Sequence, residues 1–194
     1  MLRDTRRKVP LLVTDAAAVQ IQICVRAARR LDGAMAEAGV LQGGSARLIC
    51  EAKGDAELHL FDVFDTLQAA AGPSTGLAGE VRDHFGTVHG SLDAVRRLLA
   101  SYPNVHIHPG LFPDSVSGEI DSARFAFVHL DMDLAESTRA GLDFFHPRLV
   151  RGGILLGDDY FDAAVRGTFA DFFRGRDDTV IELPWGQVMV VKQG

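Results

Sequence analysis

The order of apolar and polar residues along the chain follows two alternating periodicities. Short apolar runs, typical of buried parallel strands, alternate with segments in which apolar residues recur every three or four positions, as in amphipathic helices. The pattern predicts helices over 15–31, 45–53, 91–102, 134–145 and 160–173, and strands over 34–40, 57–63, 105–108, 125–130, 154–156, 179–183 and 187–192. The segment 68–89, rich in glycine, alanine and small polar residues, is expected to be mostly loop.

Three of the predicted helices carry further signals about their ends and faces. Ser91 is the natural N-cap of the helix over 91–102, and Pro103 ends it. In the helix over 15–31, one face carries Val19, Ile23 and Ala27. In the helix over 160–173, the side chains available to the core are Ala164, Phe169 and Phe172. The first ten residues are polar, and we expect them to be loosely ordered.

Strands alternate with helices along most of the chain, which then ends in a hairpin around 184–186. This order favours an α/β fold with a mostly parallel sheet, helices on both faces and an antiparallel C-terminal strand. A chain of 194 residues is within the size range of one domain, so we expect a single domain over 1–194. Ligands of such sheets bind at the carboxyl ends of the strands, so residues that follow strands are the candidates for function.

Composition narrows the choice of partner and compartment. The formal net charge is −6, so we expect no binding to nucleic acid, and the short basic run Arg6-Arg7-Lys8 is interpreted as a solvated face. No apolar run is long enough for a membrane span, and the N-terminus lacks an apolar signal core. Both features predict a cytoplasmic protein, in which Cys24 and Cys50 are reduced thiols in the core.

Two features of the first half of the chain indicate a nucleoside site. The first strand–helix junction, residues 37–45, is rich in glycine, which lets backbone approach a ligand closely, although many such junctions are only tight turns. Its spacing is not the G-x-G-x-x-G of dinucleotide binders. Asp62 ends the second strand, where a carboxylate can accept hydrogen bonds from a ribose diol or can be exposed without a role.

Four carboxylates follow the two most apolar strands. Asp131 and Asp133 come after 125–130, and Asp158 and Asp159 come after 154–156. Two such charges about 4 Å apart repel by about 4 kcal/mol at an effective dielectric constant of about 20, so either protons or a cation must neutralise them. Oxygen ligands favour magnesium or calcium; alternatively, one pair only caps a helix.

The seven histidines are mostly interpreted as structural. His129 directly precedes the acids, and His106 and His108 lie on a strand. His84, in the loop-rich segment, is a conceivable base, although exposure alone would explain it equally well.

Taken together, the motifs resemble the macrocin O-methyltransferase-like family of class I methyltransferases. This family includes sugar O-methyltransferases of macrolide and aminocoumarin antibiotic biosynthesis. The matching stretches cover most of residues 35–192, and they are EAGVLQGGSA (37–46), LFDVFDTL (60–67), YPNVHIHPGLFPDSV (102–116), FVHLDMDLAEST (127–138), PRLVRGGILLGDDY (147–160) and ELPWGQVMVVK (182–192).

The resemblance implies a Rossmann-like fold and a residue-by-residue site for S-adenosylmethionine and magnesium. Glu37, Gly39 and Ser45 would line the methionine end of the cofactor, and Asp62 would hold its ribose with Phe64 nearby. Ser91, Asp114 and Ser115 would lie near the adenine. Asp131 would lie between cofactor and metal, and magnesium would be bound by Asp131, Asp158 and Asp159. Asp133 is the leading candidate for the general base, with His84 in reserve.

The implied reaction is magnesium-dependent methylation of a hydroxyl group on a small molecule, such as a sugar of a natural product. Ala135 stands where the family usually has tyrosine, which changes an expected substrate contact. The N-terminal helical extension, residues 1–33, is shorter than in the family, so a substrate lid is expected to be absent or supplied by the second subunit of a homodimer. The alternatives are a non-catalytic cofactor-binding protein and a differently specific nucleotide-binding enzyme, such as a nicotinamide-dependent oxidoreductase.

Overall fold

The computed structural model describes residues 2–64, 90–116, 118–120 and 122–194. Its helices are α1 (Leu2–Lys8), α2 (Asp15–Ala28), α3 (Gly44–Lys53), α4 (Leu92–Leu99), α5 (Ala135–Phe145) and α6 (Ala163–Phe173). Its strands are β1 (Ala34–Ala38), β2 (Leu58–Asp62), β3 (Val105–Pro109), β4 (Phe125–Leu130), β5 (Leu149–Gly157), β6 (Thr179–Leu183) and β7 (Gln187–Val191). The segment predicted as loop, 68–89, lies outside the described residues, as does His84.

All seven described strands form one sheet in the order β3-β2-β1-β4-β5-β7-β6. The first five strands of that order are parallel, whereas β7 runs antiparallel to both β5 and β6. The chain order reverses between β1 and β4, which is where an open α/β sheet leaves a crevice for ligands. The predicted fold class, including the antiparallel C-terminal hairpin, is therefore confirmed.

The core lies on both faces of the sheet. Every residue of β4 is buried, which explains its uninterrupted apolar sequence. One face of the sheet packs against buried residues of α2, α3 and α4 and the other against those of α5 and α6. The predicted core thiols Cys24 and Cys50 are both buried and unpaired. No helix in the described ranges is long and apolar enough to cross a membrane.

The N-terminal residues differ from the sequence prediction, because residues 2–8 form helix α1 instead of a loosely ordered segment. Thr5 is fully buried. The Arg6 guanidinium donates hydrogen bonds to the carbonyl oxygens of Leu11 and Val13 at 2.8 and 2.9 Å and forms an ion pair with Asp15 at 2.8 Å. Arg6 is thus not only part of a solvated face: it holds the segment between α1 and α2 in place.

Two predicted helix faces also differ from the structure. Val19 and Ile23 of α2 are 46% and 50% exposed, and Ala27 is exposed as well, because α2 buries the side that carries Ile21, Val25 and several small residues. Helix α6 begins at Ala163, since the Asp162 carboxylate caps it by accepting hydrogen bonds from two backbone N–H groups. Ala164 is therefore on the exposed first turn, and the core position belongs to Val165.

Candidate functional site

A cavity of about 360 Å³ opens at the carboxyl ends of β1, β2, β4 and β5. Its volume is within the range of small-molecule sites. Four residues predicted to bind the cofactor line its β1–β2 side: Gly39, Ser45, Asp62 and Phe64. Four acids line its β4–β5 side: Asp131, Asp133, Asp158 and Asp159. The topology thus brings together in one cavity two groups of residues that lie far apart in the sequence.

Four other predicted cofactor residues do not line this cavity. Glu37 is fully buried beneath it, in β1. Ser91 caps α4, where its hydroxyl accepts a hydrogen bond from the backbone N–H of Ala94 at 3.4 Å. Asp114 is exposed, and the buried hydroxyl of Ser115 has no hydrogen-bond partner among the described residues. The loop that carries these two residues still contributes to the cavity through its earlier part, residues 110–112.

The glycine-rich junction brings the ends of β1 and β4 into close contact. Gly39 has a φ of +89°, which favours glycine. A Cβ atom at this position would lie 1.6 Å from the carbonyl oxygen of Asp131. The pattern predicted a close approach of backbone to ligand, and the structure adds a close approach of backbone to backbone. Gly39 thereby sets the distance between the glycine turn and the first acid of the cluster.

Asp62 organises the turn that follows β1. Its Oδ2 accepts hydrogen bonds from the backbone N–H groups of Val40 and Leu41 at 2.7 and 2.8 Å, and its Oδ1 accepts one from Phe64 at 2.7 Å. Each carboxylate oxygen has two lone pairs, so this arrangement leaves capacity for a hydroxyl donor from the cavity. The carboxylate holds both walls of the β1–β2 side in place.

Since the resemblance implies that Asp62 holds the ribose of S-adenosylmethionine, replacing Asp62 with alanine is expected to weaken binding of that cofactor by roughly 100-fold. The change removes the predicted ribose acceptor and leaves three backbone N–H groups without their hydrogen-bond partner. Each lost hydrogen bond costs about 1 kcal/mol or more. Isothermal titration calorimetry with S-adenosylmethionine measures the effect. Asp55→Ala is the matched control, because Asp55 is exposed and precedes the opposite end of β2. Equal affinities for the two variants would contradict the role of Asp62.

Two of the acids on the β4–β5 side, Asp131 and Asp159, have pKa values raised by burial and by neighbouring carboxylates. Burial raises the pKa of Asp131 well above its ordinary value, and the neighbouring Asp158 carboxylate raises it further. Burial and the Asp133 and Asp158 carboxylates raise the pKa of Asp159 to about 6. The Oδ2 atom of Asp159 also accepts a hydrogen bond from the backbone N–H of Asp133 at 3.1 Å. The four acids therefore converge as the sequence predicted.

One member of this site, His129, was interpreted from the sequence as structural. Its Nδ1 lies 2.8 Å from Glu37 Oε1, and its Nε2 lies 3.2 Å from Asp158 Oδ2, with both His129 and Glu37 fully buried. Burial alone would lower the pKa of His129, but hydrogen bonds to Asp158 and Glu37 outweigh it and raise that pKa well above its ordinary value. The signal available in the sequence was spacing, since residues two apart on a strand, such as 129 and 131, share a face.

The acid cluster has the donor set of a metal site. Ligand atoms of His129, Asp131 and Asp158 all lie within 4.8 Å of one another. Both ring nitrogens of His129 already face carboxylates, so this residue fits the role of a charge partner better than that of a ligand. The carboxylate oxygens of Asp131 and Asp158 remain as ligand atoms, and oxygen ligands of this kind suit a hard divalent cation.

Backbone strain is concentrated around the cavity. Five non-glycine residues in the described ranges have positive φ, and four of them line the cavity: Leu41, Phe64, Asp133 and Asp159. Such conformations cost about 1–3 kcal/mol each and persist where the surrounding structure imposes them, commonly at functional sites. The strained residues thus lie in the turns that form the β1–β2 side and the β4–β5 side of the cavity.

The N-terminal segment and the C-terminal hairpin both contribute to the walls. Residues 10–14, which Arg6 holds in place, line the cavity beside the glycine turn. Trp185 and Gly186 of the β6–β7 turn line it beside the acids. The described chain thus builds these walls from its own two ends, and the expectation about a substrate lid stays a prediction.

Comparison with known proteins shows which family and which relatives this sequence matches. A profile of the family described as "Macrocin-O-methyltransferase (TylF)" matches residues 12–189. The chain belongs to this family. Within it, the chain is similar to the 8-demethyl-8-(2,3-dimethoxy-alpha-L-rhamnosyl)-tetracenomycin-C 4'-O-methyltransferase of Streptomyces olivaceus, with 33% identity over 169 residues. The match covers 80% of this chain and 64% of that relative, so the chain spans less than two thirds of the relative's length.

Solved structures show the same fold as this member of the macrocin-O-methyltransferase family. The O-methyltransferase NovP superposes with a TM-score of 0.75 at 22% identity, covering 92% of this chain and 80% of that one. A putative caffeoyl-CoA O-methyltransferase from Staphylococcus aureus gives a TM-score of 0.68 at 14% identity, covering 96% and 87%. The chain therefore shares its overall fold with these O-methyltransferases.

Proposed function

We propose that this chain is an S-adenosylmethionine-dependent O-methyltransferase that uses magnesium, or another divalent cation, to methylate a hydroxyl of a small molecule carrying a sugar. One observation carries the proposal: the glycine turn with Asp62 and the cluster of four acids open into the same cavity. The first group suits a nucleoside, and the second suits a cation with a hydroxyl beside it. Family membership supports combining the two in one reaction.

The β1–β2 side of the cavity fits the cofactor. Asp62 offers carboxylate oxygens for a ribose diol, and Phe64 and Phe112 offer apolar surface. Ser45 lies in the first turn of α3, where backbone N–H groups favour a carboxylate such as that of the methionine moiety. When bound, S-adenosylmethionine would supply an already activated methyl group on its sulfonium sulfur. The protein then has chiefly to orient the acceptor oxygen.

The β4–β5 side fits the cation and the acceptor hydroxyl. Asp131, Asp158 and Asp159 are the residues that would hold the cation, in agreement with the charge crowding among them. When bound, a divalent cation would act as a Lewis acid on the acceptor hydroxyl. Asp133 is the proposed general base, since it lines the cavity and its backbone N–H is fixed to Asp159. Its carboxylate would receive the hydroxyl proton.

The rim of the cavity favours an acceptor with apolar surface. Leu12 and Phe161 line the cavity and are 76% and 73% exposed. Trp185 lines it as well, and aromatic rings of this kind pack on the apolar faces of ring systems. The Streptomyces olivaceus relative is named as a 4'-O-methyltransferase of a rhamnosyl-tetracenomycin. A glycosylated aromatic product is therefore the first acceptor class to test.

The test is a methyl-transfer assay with labelled S-adenosylmethionine and glycosylated aromatic acceptors that carry vicinal hydroxyls, followed by mass spectrometry. Methylated product is expected with magnesium, and chelation with EDTA should reduce its formation at least roughly 100-fold, reversibly. Calorimetry with S-adenosylmethionine and with NAD runs in parallel. Binding of NAD alone would overturn the proposal in favour of an oxidoreductase. Binding of S-adenosylmethionine with neither metal binding nor product would favour a non-catalytic cofactor-binding protein.

A further inference from the structure

A row of hydrogen-bonded side chains crosses four neighbouring strands beside the cavity. It runs from Glu37 on β1 through His129 on β4 to Asp158, just after β5. It continues through Gln187 on β7 to Trp185 in the turn of the hairpin. The strands lie side by side in the order β1-β4-β5-β7, so the row connects β1 to the C-terminal hairpin without a gap.

The row holds the Asp158 carboxylate from both neighbouring strands. Its Oδ2 accepts a hydrogen bond from Nε2 of His129 at 3.2 Å and another from Nε2 of Gln187 at 3.0 Å. His129 and Gln187 are both fully buried, so neither side chain has room to turn away. In the described part of the chain, every hydrogen bond to the Asp158 side chain goes to this one oxygen.

Trp185 fixes the orientation of the Gln187 amide. The indole N–H of Trp185 donates to Oε1 of Gln187 at 3.0 Å, which leaves the NH₂ group directed at Asp158. An amide turned the other way would face a carboxylate with its own oxygen and would lose both hydrogen bonds. The hairpin therefore determines that a donor, and not an acceptor, meets Asp158.

We propose that His129 and Gln187 are positioning residues, which clamp Oδ2 of Asp158 so that the carboxylate presents Oδ1 to a divalent cation in the cavity. The inference rests on the proposed metal site and extends it to two residues that do not themselves touch the cation. Partners that orient a ligating carboxylate from behind typically change metal affinity by 10- to 100-fold when they are removed. Gln187 gives the cleaner test, because its only side-chain partners among the described residues are Asp158 and Trp185.

The test replaces Gln187 with methionine, which is similar in length but cannot donate a hydrogen bond. Manganese(II) binding is measured by electron paramagnetic resonance, and S-adenosylmethionine binding by calorimetry. We expect the dissociation constant for manganese to rise by at least roughly 10-fold while that for S-adenosylmethionine stays within about twofold of the wild type. Thermal unfolding of each sample confirms that the variant is folded. A purely structural role for Gln187 would not separate the two affinities.

The control is Gln20→Met, the same chemical change on α2. Gln20 contacts Cys24 and Met189, and none of these three residues lines the cavity. Its two dissociation constants should match those of the wild type. If wild-type protein binds no manganese, the proposed metal site itself fails. If the wild type binds it and Gln187→Met binds it equally well, only the positioning role fails.

A second variant keeps the inference testable if Gln187→Met does not fold. Trp185→Phe retains an aromatic ring in the hairpin turn but removes the N–H group that orients the Gln187 amide. We expect a smaller weakening of manganese binding, by roughly 3- to 10-fold, since the amide keeps its place but loses its fixed orientation. An unchanged dissociation constant for manganese in this variant would overturn the proposal.

Discussion

Replacing Asp158 with asparagine is expected to lower methyl transfer by roughly 100- to 1,000-fold while leaving S-adenosylmethionine affinity within about threefold of the wild type. The amide has the shape of the carboxylate, and its oxygen can accept the hydrogen bonds that His129 and Gln187 now donate to Oδ2. Its NH₂ group then occupies the position of Oδ1 and offers a cation no lone pair. The substitution thus removes a ligand and a negative charge with little change in packing.

The measurement combines kcat/KM at saturating magnesium with the dissociation constants for manganese and S-adenosylmethionine. Asp171→Asn is the matched control, because Asp171 lies on α6, is mostly exposed and pairs with Arg174 away from the cavity. It should leave all three quantities unchanged. An equal loss of cofactor and metal affinity in Asp158→Asn would argue against separate roles for the two sides of the cavity.

Elements that are buried along their whole length have uninterrupted apolar sequences, and these elements could be predicted from the sequence alone. Strand β4 is buried along its whole length, so its apolar run identified it with the same limits that the structure shows. The convergence of Asp131 with Asp158 followed from the same reasoning, because consecutive buried parallel strands in such a fold are commonly neighbours, as β4 and β5 are. The acids then had to meet at one edge of the sheet.

Features that depend on pairing between strands that are not consecutive in the chain could not be predicted. Glu37 and His129 face each other because β1 pairs with β4, across a separation of 92 residues, in a register that sets these two residues side by side. Local periodicity carries no information on that pairing. Gln187 is a similar case, since its contact with Asp158 requires the antiparallel placement of β7 against β5. The acids were therefore recognised, but not the residues that hold them.

Local patterns also failed where tertiary contacts outweighed them. The polar N-terminal residues were expected to be loosely ordered, yet Arg6 donates hydrogen bonds to backbone carbonyls of the following segment, and Thr5 of α1 is fully buried. In α2, Val19 and Ile23 face outward, because the helix buries the side that carries Ile21 and Val25 instead. Periodicity identified the helix correctly but not the side that is buried.

The largest effect on stability is expected for Gly39→Ala, which should lower the free energy of unfolding by roughly 3–5 kcal/mol. Two causes add. A non-glycine residue at a φ of +89° is strained by about 1–2 kcal/mol, and the new Cβ atom would lie 1.6 Å from the Asp131 carbonyl oxygen and 2.6 Å from its carbon. Both contacts are with backbone, so relief requires that the ends of β1 and β4 move apart.

Urea denaturation measures the free energy of unfolding of Gly39→Ala, and Gly175→Ala is the control variant. Gly175 has a φ of +75°, but nothing lies within 4 Å of a Cβ atom built there, so this variant isolates the strain of the positive φ at about 1 kcal/mol. A Gly39→Ala variant no less stable than Gly175→Ala would show that the β1–β4 contact can relax freely. The same contact holds the glycine turn against Asp131, so in any folded Gly39→Ala protein we expect cofactor and metal affinity to fall together. That joint loss distinguishes Gly39, which joins the two sides of the cavity, from Asp62 and Asp158, which each act on one.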